Sequence, residues 1–318
     1  MLDLKTITIL GGTGFIGRYL VKEIAKTGLK INLVSRNANK SLFLKVAGSV
    51  GQINLIEANL LKDIDKLEQI IKNSDVVINL VGSNKIKRKA DFNDYYAKLP
   101  ELIARFCAKY KVKKFIHISS LCTKAISKFS TAKYLGEKLV KEEFPAAIII
   151  RPSLVFGLED SFFNRIIKLS KILPCFPLPK KNNSLIQPVY VNDLARALTK
   201  ILFAEQHKSS IYYLVGPDVF NLGELIIMIN KKMGRNIKVA YLPKFIFNIA
   251  AMIVENINSE IVTRDYLKRL SEDSITKDKQ LTFFDMQIQL HNLEEILPNY
   301  NGVHKSSCYY NGLLKEKS

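Results

Sequence analysis

The sequence predicts an α/β fold: a doubly wound parallel sheet with a smaller, mainly helical C-terminal lobe. Three observations carry this expectation. Short apolar, β-branched runs alternate with amphipathic stretches through the first half of the chain. A glycine-rich turn follows the first of these runs and opens a helix. The alternation then loosens after Pro152. Continuous apolar strands separated by helices suit a sheet covered on both faces. Right-handed crossovers make a doubly wound order the economical topology.

Taken in order, "ITIL" (Ile7–Leu10) reads as the first strand, followed by the glycine turn and a helix to about Lys26. Further strands are expected at Ile31–Val34, Ile53–Glu57, Val76–Val81, Lys114–Ser120 and Ala147–Pro152. Helical periodicity marks Leu99–Tyr110 and Ser130–Phe144, and in the second helix Leu135 and Leu139 suggest a buried stripe. Past Pro152, "LPCFPLPKKNNS" reads as a proline- and lysine-rich loop. "QPVYVNDLARAL" reads as a short strand with a capped helix, and "IYYLVG" as another strand. The larger domain is expected over residues 1–155, completed by about 187–216. The lobe takes 156–186 and 217–318.

The chain has 318 residues, 47% of them hydrophobic and 24% charged, which suffices for a substantial core. The net charge of +19 suits an anionic membrane face or an acidic partner. The basic residues form no Arg-rich run and no aromatic stripe, so nucleic acid is not an expected partner. Cys107, Cys122, Cys175 and Cys308 are scattered, which argues for reduced thiols and against structural zinc. His117, His207, His291 and His304 have no ligand spacing, and no metal is expected. A strand begins within a few residues of Met1, so no signal peptide is expected. The longest apolar stretch, Phe245–Val254, is far short of the roughly 20 residues a membrane span needs.

"GGTGFIG" places Gly11, Gly14 and Gly17 between strand and helix. The first glycine permits a tight turn, the second a close pyrophosphate, the third close helix–strand packing. The helix N-terminus offers N–H groups to phosphate. At the end of the second strand, where NAD sites carry Asp or Glu, stand Ser35 and Arg36. A hydroxyl and a guanidinium suit a 2′-phosphate, so NADPH is the expected cofactor. "ANL" (Ala58–Leu60) and "NLVG" (Asn79–Gly82) follow the next strands on the adenosine side.

Together with "FIHISSL", "RPSLVFG" and "QPVYVNDLARAL", these motifs resemble the extended and atypical short-chain dehydrogenase/reductases over Ile7 to Leu198. Looser similarity runs past "VTRDYLKRL" (Val262–Leu270). Through "GEKLVKEEFPAAIIIRPSLVFGLEDSFFN", the chain resembles the NADPH-binding accessory subunits of respiratory complex I and their bacterial relatives. The resemblance implies an NAD(P)-binding Rossmann fold. It also implies complex I subunits as partners, a membrane surface as a further contact, and a cytoplasmic site peripheral to the inner face of the membrane. The implied cofactor set is Gly11, Thr13, Gly14, Phe15, Ile16, Gly17, Ser35, Arg36, Asn59, Leu60, Leu80, Val81, Gly82, Ser119, Lys133, Pro152 and Val155.

Active members of the group use a helical tyrosine as acid/base and a lysine four residues on. Two frames fit that spacing here, Phe129/Lys133 and Tyr134/Lys138. They differ by about 140° on a helix, so only one can face the cofactor. The family continues its lysine with a small residue, x-G-E and a later R-P. Gly136, Glu137 and Arg151-Pro152 keep that count only from Lys133. The expected tyrosine position is then Phe129, and no catalytic acid is assigned. Tyr134 with Lys138 stays as the fallback, and Tyr95 or Tyr96 as substitute acids. The resemblance favours a non-catalytic NADPH-holding subunit. An active NADP-dependent reductase or epimerase is the alternative. A membrane-surface or redox-sensing protein using the amphipathic stretch Leu242–Ile257 is a third reading.

Overall fold

The computed structural model describes residues 4–82, 89–121, 127–180, 184–205, 210–243, 245–247, 265, 268, 270–276 and 283–300. A seven-stranded sheet runs in the order β11-β6-β5-β4-β1-β2-β3, with every pairing parallel. Its strands are β1 (Thr6–Leu10), β2 (Lys30–Ser35), β3 (Ile53–Glu57), β4 (Val76–Asn79), β5 (Lys114–Ile118), β6 (Ile148–Pro152) and β11 (Ile211–Leu214). The strand order reverses between β1 and β4, which makes a Rossmann-type switch point at their C-terminal ends.

The connecting helices bury the sheet. Helix α1 (Phe15–Ala25) packs against α7 (Val191–Phe203). Helix α4 (Leu99–Lys109) packs against α2 (Ile64–Lys72) and α5 (Lys128–Glu143). Side chains alternate along each strand, so Leu10, Val34, Val77 and Phe115 join the α2–α4 core, with Leu67, Ile71, Ile103 and Phe106. Each such buried side chain stabilises by about 1.5–3 kcal/mol.

Helix α5 starts at Lys128, two residues before the sequence suggested. Ser127 is its N-cap: its hydroxyl accepts from Ser130 N–H at 3.1 Å, and Ser127 N–H donates back to Ser130 Oγ at 2.9 Å. The buried face of α5 carries Ala132, Lys133, Gly136, Glu137 and Val140, and Leu135 is exposed. The leucine stripe read from the sequence is therefore incorrect. Close packing selects small residues here, and the buried charges have partners. A π turn (Asp94–Lys98) precedes α4 and brings the Tyr96 carbonyl onto α5. A Cβ on Gly136 would lie 1.9 Å from that oxygen.

The chain divides into two compact units. The first comprises Met1–Ser153, Val191–Val215 and Thr276–Ile288. The last segment was expected in the lobe. It belongs with α7, where Lys200 Nζ bonds the Met286 carbonyl and Phe283 is buried. The second unit comprises Leu154–Tyr190, Gly216–Ile275 and Gln289–Ser318. Its core joins Phe163, Ile166, Leu225, Ile229 and Leu297. Fully buried Tyr300 holds the Gly157 backbone and the Asp160 carboxylate through its hydroxyl. The proline-rich "loop" contains strand β8 (Cys175–Pro179), paired in parallel with β13 (Lys238–Leu242). Pro177 and Pro179 lack N–H donors, but a two-stranded sheet leaves one edge of each strand without a partner to bond. Most of Leu242–Ile257 and of Val262–Leu270 lies outside the described residues.

The α5 contact makes a direct prediction. Gly136→Ala should lower the unfolding free energy by at least about 1–3 kcal/mol in denaturant titration, because backbone must move to admit the methyl group. Glu142→Ala, on the exposed side of the same helix, should stay within about 0.5 kcal/mol. Equal stability of the two variants would show that the π turn does not press on α5.

Candidate cofactor site

The glycine turn joins β1 to α1. Gly11 has φ of +76°, a conformation costly for any side chain, and a Cβ there would meet Val81 N at 3.0 Å. Gly14 is the N-cap of α1, and a Cβ on it would lie 3.2 Å from the Gly11 carbonyl. Gly17 packs on Gly12, with a Cβ-to-oxygen approach of 2.3 Å. Gly12, which the sequence reading left out, is closed in turn by Leu33 and Ile9. Added Cβ atoms at Gly11, Gly14 and Gly17 would all meet backbone, so these glycines let the turn fold closely before the N–H groups of Phe15 and Ile16 at the start of α1.

The other expected residues of the first unit follow the C-terminal ends of the parallel strands. Ser35 ends β2, and its hydroxyl accepts from Thr13 Oγ1 at 3.3 Å. Arg36 follows and is exposed. Asn59 and Leu60 follow β3; Asn59 Oδ1 accepts from Leu61 N–H, and Leu60 is buried in the core. Leu80, Val81 and Gly82 follow β4, where Asn79 Oδ1 accepts from Val81 N–H at 3.0 Å. Ser119 follows β5, and Pro152 ends β6. Val155 lies in the second unit, on a two-residue strand.

Two groups at the β5 end are orphaned. Ser119 Oγ and His117 Nε2 are buried with no hydrogen-bond partner among the described residues. Asn79 Nδ2 lies 3.1 Å from His117 Nδ1 and donates to it, because Asn79 Oδ1 is committed to Val81. The His117 proton therefore sits on Nε2. Burial, with the nearby Lys133 charge, holds the His117 pKa well below its usual value, so the ring is neutral.

Helix α5 turns Lys133 toward this edge. Lys133 is buried, and its Nζ donates to the Ile118 carbonyl at 2.7 Å. The same ammonium lies 4.9 Å from the centroid of Tyr96, whose ring meets Phe129 edge-on at 5.1 Å. Tyr96 is buried and packs beside Gly82. The rotation is fixed by Glu137, paired with Arg151 of β6 at 2.5 Å, while Arg151 Nη1 donates to Tyr213 Oη at 3.0 Å. The fallback pair faces elsewhere: Tyr134 is 53% exposed, and Lys138 is exposed and paired with Glu142.

A glycine turn leading into a helix N-terminus, and an orphaned hydroxyl beside a buried lysine, fit a dinucleotide. Residues 7–223 match the NAD dependent epimerase/dehydratase family. The chain belongs to this family. The mitochondrial NADH-ubiquinone oxidoreductase 40 kDa subunit of Neurospora crassa is 30% identical, over 96% of this chain and 81% of that protein. The mitochondrial NADH dehydrogenase [ubiquinone] 1 alpha subcomplex subunit 9 of Dictyostelium discoideum is 29% identical, over 98% of this chain and 88% of that one. The UDP-glucuronic acid 4-epimerase of Bacillus cereus, solved with NAD, shares the fold with a TM-score of 0.63 at 19% identity, covering 75% of this chain and 87% of that one.

In this epimerase/dehydratase family member, Arg18, absent from the expected cofactor set, also lies against the glycine turn. Its Nε donates to the Thr13 carbonyl at 3.0 Å. The available signal was its position four residues after Gly14, one helical turn past the N-cap. Cys107 is a buried free thiol, and Cys175 a partly buried one. Cys122, Cys308, His207 and His304 lie outside the described residues. No metal-ligating cluster occurs among the described residues.

His117 generates a pH prediction. Its folded pKa lies below the unfolded value of about 6.5, so its contribution to stability is present above that pH and lost as pH falls toward the folded pKa. Between pH 7 and 5, the wild type should lose up to about 1.4 kcal/mol per pH unit more than His117→Leu, measured by denaturant titration. Parallel pH profiles would mean that His117 takes up its proton in the folded state.

Proposed function

We propose that this protein is an NADPH-holding, non-catalytic accessory subunit of a complex-I-type NADH:quinone oxidoreductase. The observation that supports it best is likeness along nearly the whole chain to subunits named for that complex, at 30% identity over 96% of this chain for one of them. The site adds the chemical half. The helix face that carries buried Lys133 holds Phe129 where a catalytic phenol would stand. A phenyl ring has no proton to exchange, and general acid/base catalysis typically supplies about 10²–10⁴-fold.

The bound dinucleotide acts here as a structural ligand. It supplies no chemistry in this reading and stabilises the first unit by mass action. The turn of Gly11, Gly14 and Gly17 binds its pyrophosphate, Lys133 bonds the nicotinamide ribose, and Ser119 takes a hydrogen bond that it lacks within the described protein. Preference for NADPH is supported by the absence of a carboxylate and the cationic character at Ser35-Arg36, where β2 ends. The protein is expected on the inner face of the cytoplasmic membrane, held by the complex and by the attraction of +19 charges to anionic lipid. Among the described residues no helix is long and apolar enough to cross a membrane.

One observation favours a second reading, an active NADP-dependent reductase. Tyr96 places a buried phenol between Lys133, Phe129 and Gly82. The two readings separate in one assay. Wild-type protein should oxidise NADPH at background rate against a panel of aldehydes, ketones and quinones. Turnover that disappears in Tyr96→Phe would establish the reductase instead.

Location tests the partner. In cells with an assembled complex I, mildly solubilised membranes should yield this protein in the native-gel band with NADH dehydrogenase activity. Recovery only in the soluble fraction, at low salt, would end the subunit reading.

A further inference from the structure

Arg36 was the cation expected to read the cofactor's 2′-phosphate, but a second guanidinium is better held. Arg18 is partly buried on α1, with its Nε bonded to the Thr13 carbonyl at 3.0 Å. Its guanidinium carbon lies 5.4 Å from the centroid of the Phe43 ring. Phe43 belongs to the 3₁₀ segment Asn39–Ala47, which links β2 to β3, and is half exposed. Thr13 in turn donates its hydroxyl to Ser35 Oγ at 3.3 Å. Arg18 is thereby tied to both the glycine turn and the end of β2, the two places between which the adenosine half of a dinucleotide lies.

Arg36 lies one residue past Ser35 and is exposed, and no hydrogen bond or ion pair orients its side chain among the described residues. The turn that carries it is closed on itself, with Asn37 N–H donating to Ser35 Oγ at 3.2 Å. A planar guanidinium fixed in advance loses less freedom on meeting a phosphate than a solvated one. With Nε engaged, the terminal nitrogens of Arg18 retain N–H donors for phosphate oxygens. The half-exposed Phe43 ring adds an apolar face beside that charge.

We propose that Arg18, held by Thr13 and Phe43, is the residue that selects a 2′-phosphorylated dinucleotide, and that Arg36 is secondary. This rests on the reading that the chain binds NADPH. The test is calorimetric titration of the purified full chain with NADPH and with NADH at fixed ionic strength. Wild type, Arg18→Gln and Arg36→Gln are compared, and thermal unfolding without cofactor checks each fold. The glutamine amide can still bond the Thr13 carbonyl, so Arg18→Gln removes the charge with little else.

Arg18→Gln should weaken NADPH binding by roughly ten- to a hundredfold and leave NADH binding nearly unchanged. Arg36→Gln should keep most of the preference. If Arg18→Gln does not fold, Phe43→Ala takes its place: it frees the guanidinium without touching α1 and should lower the NADPH-to-NADH preference severalfold. Preference retained in the Arg18 or Phe43 variant but lost in Arg36→Gln would overturn the proposal while leaving the NADPH reading intact. Equal wild-type affinity for the two cofactors would overturn that reading, and the proposal with it.

Discussion

The rotational setting of α5 is the constraint on which the site depends. Three contacts fix it. Gly136 admits the Tyr96 carbonyl, Glu137 pairs with Arg151, and Lys133 reaches the Ile118 carbonyl. They act from different neighbours, the π turn, β6 and the end of β5, so no small rotation satisfies all three. A buried ion pair is poor evidence of added stability, because desolvation offsets its attraction. Removing one partner is costly, however, so such a pair is effective at excluding alternative packings. That role suits Glu137 and Arg151. They commit α5 to one face, and that face presents Phe129 and Lys133.

Much of this was legible locally. The glycine spacing and the apolar strand runs are properties of a few adjacent residues, and they indicated the sheet and the turn. The count from Lys133 through Gly136-Glu137 to Arg151-Pro152 pointed to the helix face that is buried. What failed was reading burial from hydrophobicity. Leu135 is exposed, while Lys133 and Glu137 are buried, because their compensating partners lie far off in sequence. β8 was hidden by its prolines, which matter less in a two-stranded sheet than in a central one. Arg18 carries little local signal, because its anchor, the Thr13 carbonyl, is in place only once the glycine turn has formed.

The site shows a division of labour between binding and chemistry. The parts proposed to hold a dinucleotide are present: the glycine turn, the helix N-terminus, the buried lysine and, at the β5 end, a hydroxyl with no partner among the described residues. At the position where active members of the group carry the proton-passing tyrosine, the Lys133 frame puts the phenyl ring of Phe129. Under the proposed function, a protein that keeps the first and lacks the second uses its ligand as a structural element. The buried phenol of Tyr96, beside Lys133 and Phe129, is the group on which experiment decides the chemical question.

The orientation of α5 against the cofactor is the claim that all of this shares. A crystal structure of the protein with NADPH bound tests it most directly. The account predicts Lys133 Nζ within hydrogen-bond distance of the nicotinamide ribose, Phe129 beside the nicotinamide ring, and Tyr134 in solvent. Tyr134 and Lys138 found against the nicotinamide, with Phe129 turned away, would contradict it.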